Sequence, residues 1–125
     1  MTENEIGYKI RGACFSVYNE LGPGLLESAY EQALTVELRG MGLLVDNQVA
    51  IEVSYKGSSI GTGYRLDLLV EGLVLIELKS VEKLCAVHHK QLLTYLRLSG
   101  IKLGYMVNFN TDKLAENMIR YANKL

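Results

Sequence analysis

The chain has 125 residues, of which 49% are hydrophobic and 22% charged, and its formal net charge is −1. This length predicts a single domain over residues 1–125, and the apolar content excludes a disordered chain. The near-neutral charge excludes a broadly basic, DNA-coating surface, so contact with nucleic acid would need a local patch or a bound cation.

The N-terminal segment and the two cysteines bear on the compartment. Residues 1–10 are acidic where a signal peptide would be basic, and no stretch approaches about 18 consecutive apolar residues. We therefore expect a cytoplasmic protein without a membrane partner. Cys14 and Cys85 lie far apart and outside metal-ligand spacing, which predicts two buried free thiols.

Two amphipathic helices are predicted at the beginning of the chain. Apolar residues recur every three or four positions from Asn4 to Leu21, which is typical of a helix with one buried side. Gly22-Pro23-Gly24 ends this helix, and a second helix is expected from about Leu25 to Arg39. The two helices would form a hairpin.

Three strands are predicted next, arranged as a meander. They are expected at Leu43–Tyr55, Ile60–Val70 and Leu73–Lys79, with turns at residues 56–59 and at Glu71-Gly72. The second and third strands are almost continuously apolar, as in strands that are covered on both faces.

The rest of the chain predicts a helix, a fourth strand and a short C-terminal helix. A period of 3.6 residues runs from Leu84 to Leu98, Lys102–Phe109 is strand-like, and apolar residues between Leu114 and Ala122 indicate the last helix. Because a helix separates the third and fourth strands, we expect these two to be parallel. The fold class is therefore mixed α/β, of order ααβββαβα, with a four-stranded mixed sheet flanked by helices.

Three charged residues interrupt the apolar second and third strands. Asp67, Glu77 and Lys79 lie inside these runs, where burial without a partner or a metal ion is costly. Glu77 and Lys79 share a face because side chains alternate along a strand. Asp67 joins them if the hairpin is centred on Gly72, whereas a two-residue loop at Glu71-Gly72 would separate them.

These three side chains allow two interpretations. Two carboxylates in a partly dry site repel each other, and a divalent ion such as Mg²⁺ would remove the repulsion. Lys79 would then orient water or stabilise developing charge. Alternatively, Glu77 and Lys79 form a partly buried ion pair near a sheet edge, with Asp67 bonded to a neighbouring backbone group.

The chain resembles the PD-(D/E)XK nuclease superfamily in the order of its charged residues. Asp67 and then Glu77-Leu78-Lys79 lie in consecutive strands that are set between helices. Leu66 replaces the proline before the aspartate, a position at which the superfamily often varies. Gly24–Tyr30 matches the GxxExxY pattern that names one small-protein branch, and Gln91–Leu96 is similar to the same branch. The resemblance implies a restriction-endonuclease-like core over nearly the whole chain.

The resemblance also implies roles for individual residues. Asp67 and Glu77 would bind the metal, Glu27 would complete or support this site from the second helix, and Lys79 would assist the attacking water. The supporting residues would be Tyr30, Gln91 and Tyr95. Glu27 also has a purely structural interpretation, because a carboxylate in the first turn of a helix interacts favourably with the helix dipole.

Three functions remain open at this point. The leading prediction is a Mg²⁺-dependent nuclease, with Mn²⁺ as substitute, that hydrolyses phosphodiester bonds in nucleic acid, DNA being favoured over RNA. The first alternative is a non-catalytic binding module of the same fold that acts through a protein or nucleic-acid partner. The second is a metal-independent structural protein whose ion pair specifies the fold. An exposed sheet edge would also permit a homodimer.

Overall fold

The computed structural model describes the backbone of residues 1–125 and the side chains of all of them except Thr62. The helices are α1 (Glu3–Leu21), α2 (Glu27–Gly40) and α3 (Ala86–Ser99). The strands are β1 (Val45–Tyr55), β2 (Ser58–Val70), β3 (Val74–Lys79), β4 (Leu103–Asn108) and β5 (Met118–Ala122). A 3₁₀ turn at Leu114–Asn117 precedes β5.

The strands form one five-stranded sheet in the order β1-β2-β3-β4-β5. Strands β3 and β4 are parallel, and every other neighbouring pair is antiparallel. The predicted mixed sheet, the meander and the parallel crossover through α3 are therefore confirmed. The fold is mixed α/β, consistent with a restriction-endonuclease-like architecture.

The C-terminal segment differs from the prediction. Met118–Ala122 is a strand that pairs antiparallel with β4, so the sheet has five strands rather than four and the predicted last helix is wrong. Without β5, the backbone groups on one edge of β4 would have no partner in the sheet. Pairing with this edge outweighs the weak helical spacing of four apolar residues, and Ile119 and Tyr121 are residue types that favour strands.

Two apolar cores cover the sheet, one on each face. The larger core joins α1 and α2 to the sheet through residues such as Ile10, Leu34 and Leu78. The smaller core joins α3 to the other face through residues such as Leu75 and Leu96. Coverage on both faces explains why β3 is apolar at nearly every position. None of the helices in the described part of the chain is long and apolar enough to cross a membrane.

The turn between β2 and β3 sets the register of the central hairpin. Glu71 and Gly72 have φ angles of 55° and 65°, and the Leu73 N–H donates to the Val70 carbonyl at 3.0 Å. Val70 pairs with Val74, so Leu73 is an extra residue between the turn and the ladder. The hairpin is thus centred on Gly72, which places Asp67 opposite Glu77 and not on the other face.

The two cysteines lie in different environments. Cys14 is fully buried in the larger core, where burial raises the pKa of its thiol to about 12. Cys85 is exposed, so the expectation of a buried thiol is wrong at this position. It lies at the N-cap of α3, where its backbone meets the ring of His88 rather than the core.

This contrast predicts the alkylation pattern of the native protein. We expect iodoacetamide to modify Cys85 alone, because reaction needs an accessible thiolate and Cys14 is both enclosed and protonated. Mass spectrometry should detect one adduct in native protein and two after denaturation. In a Cys85→Ser variant the native protein should stay unmodified, and rapid native modification of Cys14 would contradict the described core.

Candidate active site

Asp67 and Glu77 meet where β2 and β3 separate. The ladder between the two strands ends at the pair Leu68 and Ile76. Beyond it, the Asp67 N–H donates to Glu77 Oε1 at 3.0 Å, and the Leu78 N–H donates to Asp67 Oδ2 at 2.8 Å. Each carboxylate therefore binds a backbone N–H of the opposite strand, and together they bridge the opening between the strands.

Burial raises the pKa of both carboxyl groups, and for Glu77 the charge of Asp67 adds to this effect. Glu77 is only 5% exposed, and burial followed by the nearby charge of Asp67 raises its pKa to about 8. Burial also raises the pKa of Asp67, although the hydrogen bond from Leu78 opposes this shift. The protein thus holds two carboxyl groups in a place where burial disfavours a negative charge on each.

Lys79 and Tyr95 lie near this pair on the side of the sheet that α3 covers. The charge of Lys79 favours the ionised forms of Asp67 and Glu77, which lowers their pKa values against the effect of burial. Tyr95 is 5% exposed, and burial and then the Glu77 charge raise the pKa of its hydroxyl. A side-chain hydrogen bond with Gln91 opposes that shift, so α3 brings Gln91 and Tyr95 together beside the carboxylates.

Glu27 reaches the rim of the site from the first residue of α2. Its Oε1 accepts a hydrogen bond from the Ser80 N–H at 3.3 Å, directly after β3 ends. Ser80 Oγ in turn donates to the Leu25 carbonyl at 2.6 Å, which attaches the start of α2 to the end of β3. The exposed Glu27 carboxylate also contributes to the raised pKa of Glu77.

Sequence reasoning missed two polar residues beside this cluster, of which Gln48 contacts Asp67 and Glu31 contacts Gln48. Gln48 Nε2 lies 3.4 Å from Asp67 Oδ1 and donates to Glu31 Oε1 at 2.6 Å. Glu31 is four residues after Glu27, so helical spacing could have identified it as a neighbour on the same face of α2. No comparable signal marks Gln48, whose position depends on the pairing of β1 with β2 and on its own positive φ of 51°.

Tyr30 lies in the larger core and supports the site indirectly. Its ring stacks on Phe109 with centroids 4.4 Å apart, and its hydroxyl donates to the Gly22 carbonyl at 2.5 Å. The same hydroxyl accepts from the Leu25 N–H at 3.2 Å. Tyr30 therefore holds the loop that leads into α2, and with it the position of Glu27.

Removing this hydroxyl should destabilise the fold. We expect Tyr30→Phe to lower the free energy of unfolding by about 1–3 kcal/mol, because it leaves the loop groups of Gly22 and Leu25 without their partner. Chemical denaturation of the variant would measure the loss. Tyr8→Phe, at a largely exposed tyrosine of α1, is the matched control and should leave stability unchanged; equal stability of both variants would contradict a structural role for Tyr30.

The donor set at the site fits a divalent cation. In the described part of the chain, no group of three or more His, Cys, Asp and Glu side chains is gathered closely enough to hold a metal ion. Asp67 and Glu77 nevertheless form a close pair of carboxylates, and carboxylate oxygens are the ligands that Mg²⁺ prefers. A cation between them would also remove the repulsion that raises the pKa of Glu77.

Comparison with known proteins identifies the family of this chain. Residues 4–121 match the family model of the PD-(D/E)XK nuclease superfamily. The match spans nearly the whole chain, including all of the candidate site residues. No curated protein and no solved structure matched the chain.

Proposed function

Because this chain belongs to the PD-(D/E)XK nuclease superfamily, we propose that it is a metal-dependent nuclease that hydrolyses phosphodiester bonds in nucleic acid. The superfamily generally uses divalent metals, and its membership implies an interaction with nucleic acid. The observation that carries the proposal is the meeting of Asp67 and Glu77 in the opening between β2 and β3. We also propose that the chain belongs to the small-protein branch that is named after the GxxExxY pattern, which Gly24–Tyr30 matches.

We propose Mg²⁺ as the physiological ion, with Mn²⁺ as a substitute. Asp67 and Glu77 would hold it, and Glu27 would complete the ligand set from the start of α2. When bound, the ion would supply the positive charge that polarises the phosphate and makes water a stronger nucleophile. The chain's own contribution is to hold both carboxylates in position through the N–H groups of Asp67 and Leu78.

Lys79 would position the attacking water and stabilise the negative charge that develops on the phosphate. It follows Glu77 by two residues in the same strand, so both side chains lie on the same side of the sheet. Tyr95 and Gln91 would close the site from α3 and limit the access of bulk water. Gln48 would keep Asp67 in its orientation through the contact with Oδ1.

Incubation of purified protein with nucleic acid tests this proposal. We expect cleavage of DNA with Mg²⁺ or Mn²⁺ and none with EDTA, and RNA should be a weaker substrate. Fragments resolved on denaturing gels would report the activity, and calorimetry would report ion binding independently. If calorimetry detects no divalent ion and no cleavage occurs, the chain is better described as a non-catalytic binding module of the same fold.

A further inference from the structure

A groove of about 700 Å³ lies beside the candidate active site, between α3 and residues of β1, β2 and β3. Lys79, Gln91 and Tyr95, which we assign to the proposed site, form part of its wall. The groove therefore adjoins the proposed site through these three residues, while Asp67 and Glu77 lie outside its wall. A molecule in the groove would contact Lys79, Gln91 and Tyr95, on the side of the proposed site that faces α3.

Two tyrosines give the groove an aromatic surface. Tyr64 is 54% exposed, and its ring centroid lies 5.9 Å from that of Tyr95 at an interplanar angle of 49°. Because Tyr95 is buried behind it, Tyr64 presents the accessible ring. Val53, Val87 and Leu98 line the same groove and make most of its remaining surface apolar.

Positive and hydrogen-bond-donating groups complete the groove. Lys79 lies toward the carboxylates and Lys90 lies along α3. His88 accepts a hydrogen bond at Nδ1 from the Cys85 N–H at 3.0 Å, which leaves its Nε2 as the donor nitrogen of the neutral ring. An aromatic surface beside cations and a neutral donor suits a base and its phosphate.

We propose that this groove binds an unpaired nucleobase next to the scissile phosphate, so that the substrate is single-stranded nucleic acid. The inference rests on the proposed function and specifies its substrate. An aromatic side chain can stack on a base only when that base is not enclosed in a duplex stack. The net charge of −1 is consistent with this substrate, because a surface that coats a duplex would need many positive groups to contact its phosphates. The groove also has the volume of typical small-ligand sites.

Binding measured in EDTA tests this inference without requiring cleavage. The probes are a fluorescent oligothymidylate of about 12 nucleotides and a blunt duplex of equal length, at one fixed salt concentration. We expect the wild-type protein to bind the single strand about tenfold more tightly than the duplex. Tyr64→Ala should lose about tenfold in single-strand affinity, Tyr64→Phe should retain it, and Lys90→Ala should weaken binding and reduce its salt dependence.

Matched controls lie outside the groove. Tyr8→Ala removes a tyrosine that is 81% exposed on α1, and Lys113→Ala removes an exposed lysine before β5, so neither should change the affinity. Unchanged single-strand affinity in Tyr64→Ala, or duplex binding as tight as single-strand binding, would overturn the inference. Tyr64-dependent binding without metal-dependent cleavage would support the groove and reject the proposed catalysis. Metal-dependent cleavage that is unchanged in Tyr64→Ala would support the proposed catalysis and reject the groove as a base-binding site.

Discussion

Replacing Glu77 by glutamine should lower the rate of metal-dependent cleavage by about 10²- to 10³-fold. Glutamine has nearly the shape of glutamate, and its amide oxygen can still accept the N–H of Asp67. The variant therefore keeps the bridge between β2 and β3 but loses the negative charge that a divalent ion needs. Steady-state cleavage of a fluorescent oligonucleotide at saturating Mg²⁺ would measure the difference.

Lys79→Ala should cause a loss of similar size for a different reason. It leaves Asp67 and Glu77 in place, so ion binding measured by calorimetry should persist while cleavage falls by about 10²-fold. Glu82→Gln and Lys83→Ala make the same chemical changes at exposed positions just beyond β3 and should cleave at the wild-type rate. Wild-type rates in both Glu77→Gln and Lys79→Ala would instead assign the charged cluster a structural role.

The second large effect concerns stability, which should fall as the pH rises in the absence of metal. Glu77 is surrounded by the charged groups of Asp67, Lys79 and Glu27, and burial is the main cause of its raised pKa. The folded protein keeps the Glu77 proton up to about pH 8, whereas the unfolded chain loses it near pH 4.5. The folded state thus binds more protons between these values, so the free energy of unfolding decreases with pH across that window.

The expected loss is large for a chain of this size. A shift from 4.5 to about 8 in the pKa of Glu77 corresponds to a decrease on the order of 4 kcal/mol across the window, with Asp67 changing in the same direction. Urea denaturation in EDTA at several pH values between about 5 and 8.5 would measure this decrease. The range covers most of the interval between the unfolded and folded pKa values of Glu77. A free energy of unfolding that does not change with pH would contradict the burial of Asp67 and Glu77 as a repelling pair.

Glu77→Gln isolates the contribution of this one group. The variant cannot ionise at this position, so it should be more stable than the wild type at pH 8, with a weaker pH dependence. Glu82→Gln, an exposed control, should follow the wild-type profile. Added Mg²⁺ or Mn²⁺ should stabilise the wild type at pH 8 and leave Glu77→Gln unchanged, because an ion that binds only the folded state raises its stability.

These two sets of variants connect stability with function. Hydrogen bonds to the backbone hold the two carboxylates together, and we expect their burial to lower the stability of the metal-free protein as the pH rises. If Glu77→Gln gains stability and loses cleavage, the buried charge that lowers stability is also the charge that cleavage requires. If Glu77→Gln gains stability and keeps cleavage, the buried charge lowers stability but is not needed for cleavage.

Much of the fold could be predicted from the residues because the signals are local. The apolar period along α1 and α3, the turn residues, and the apolar runs of β2 and β3 each determine an element within a few positions. The anomaly of Asp67, Glu77 and Lys79 in apolar strands was visible for the same reason. The order of Asp67 and Glu77-Leu78-Lys79, together with Gly24–Tyr30, resembles the PD-(D/E)XK superfamily, and the family comparison established that membership.

Other features depend on contacts between segments that are distant in the sequence. Met118–Ala122 forms a strand because it pairs with the edge of β4, and its own spacing of apolar residues does not encode that partner. Gln48 reaches Asp67 only because β1 pairs with β2 in one register. The exposure of Cys85 likewise follows from the position of the N-terminus of α3.

The sequence by itself determined which residues carry charge in the central hairpin, but it left open whether Asp67 and Glu77 meet. The tertiary structure decided this through Leu73, the extra residue that centres the hairpin on Gly72. A shift of one residue in this register would move the two carboxylates to opposite faces, because side chains alternate with a period of two. The register depends on the geometry of the turn and on packing across the sheet, and neither can be predicted from the positions of the charged residues in the sequence.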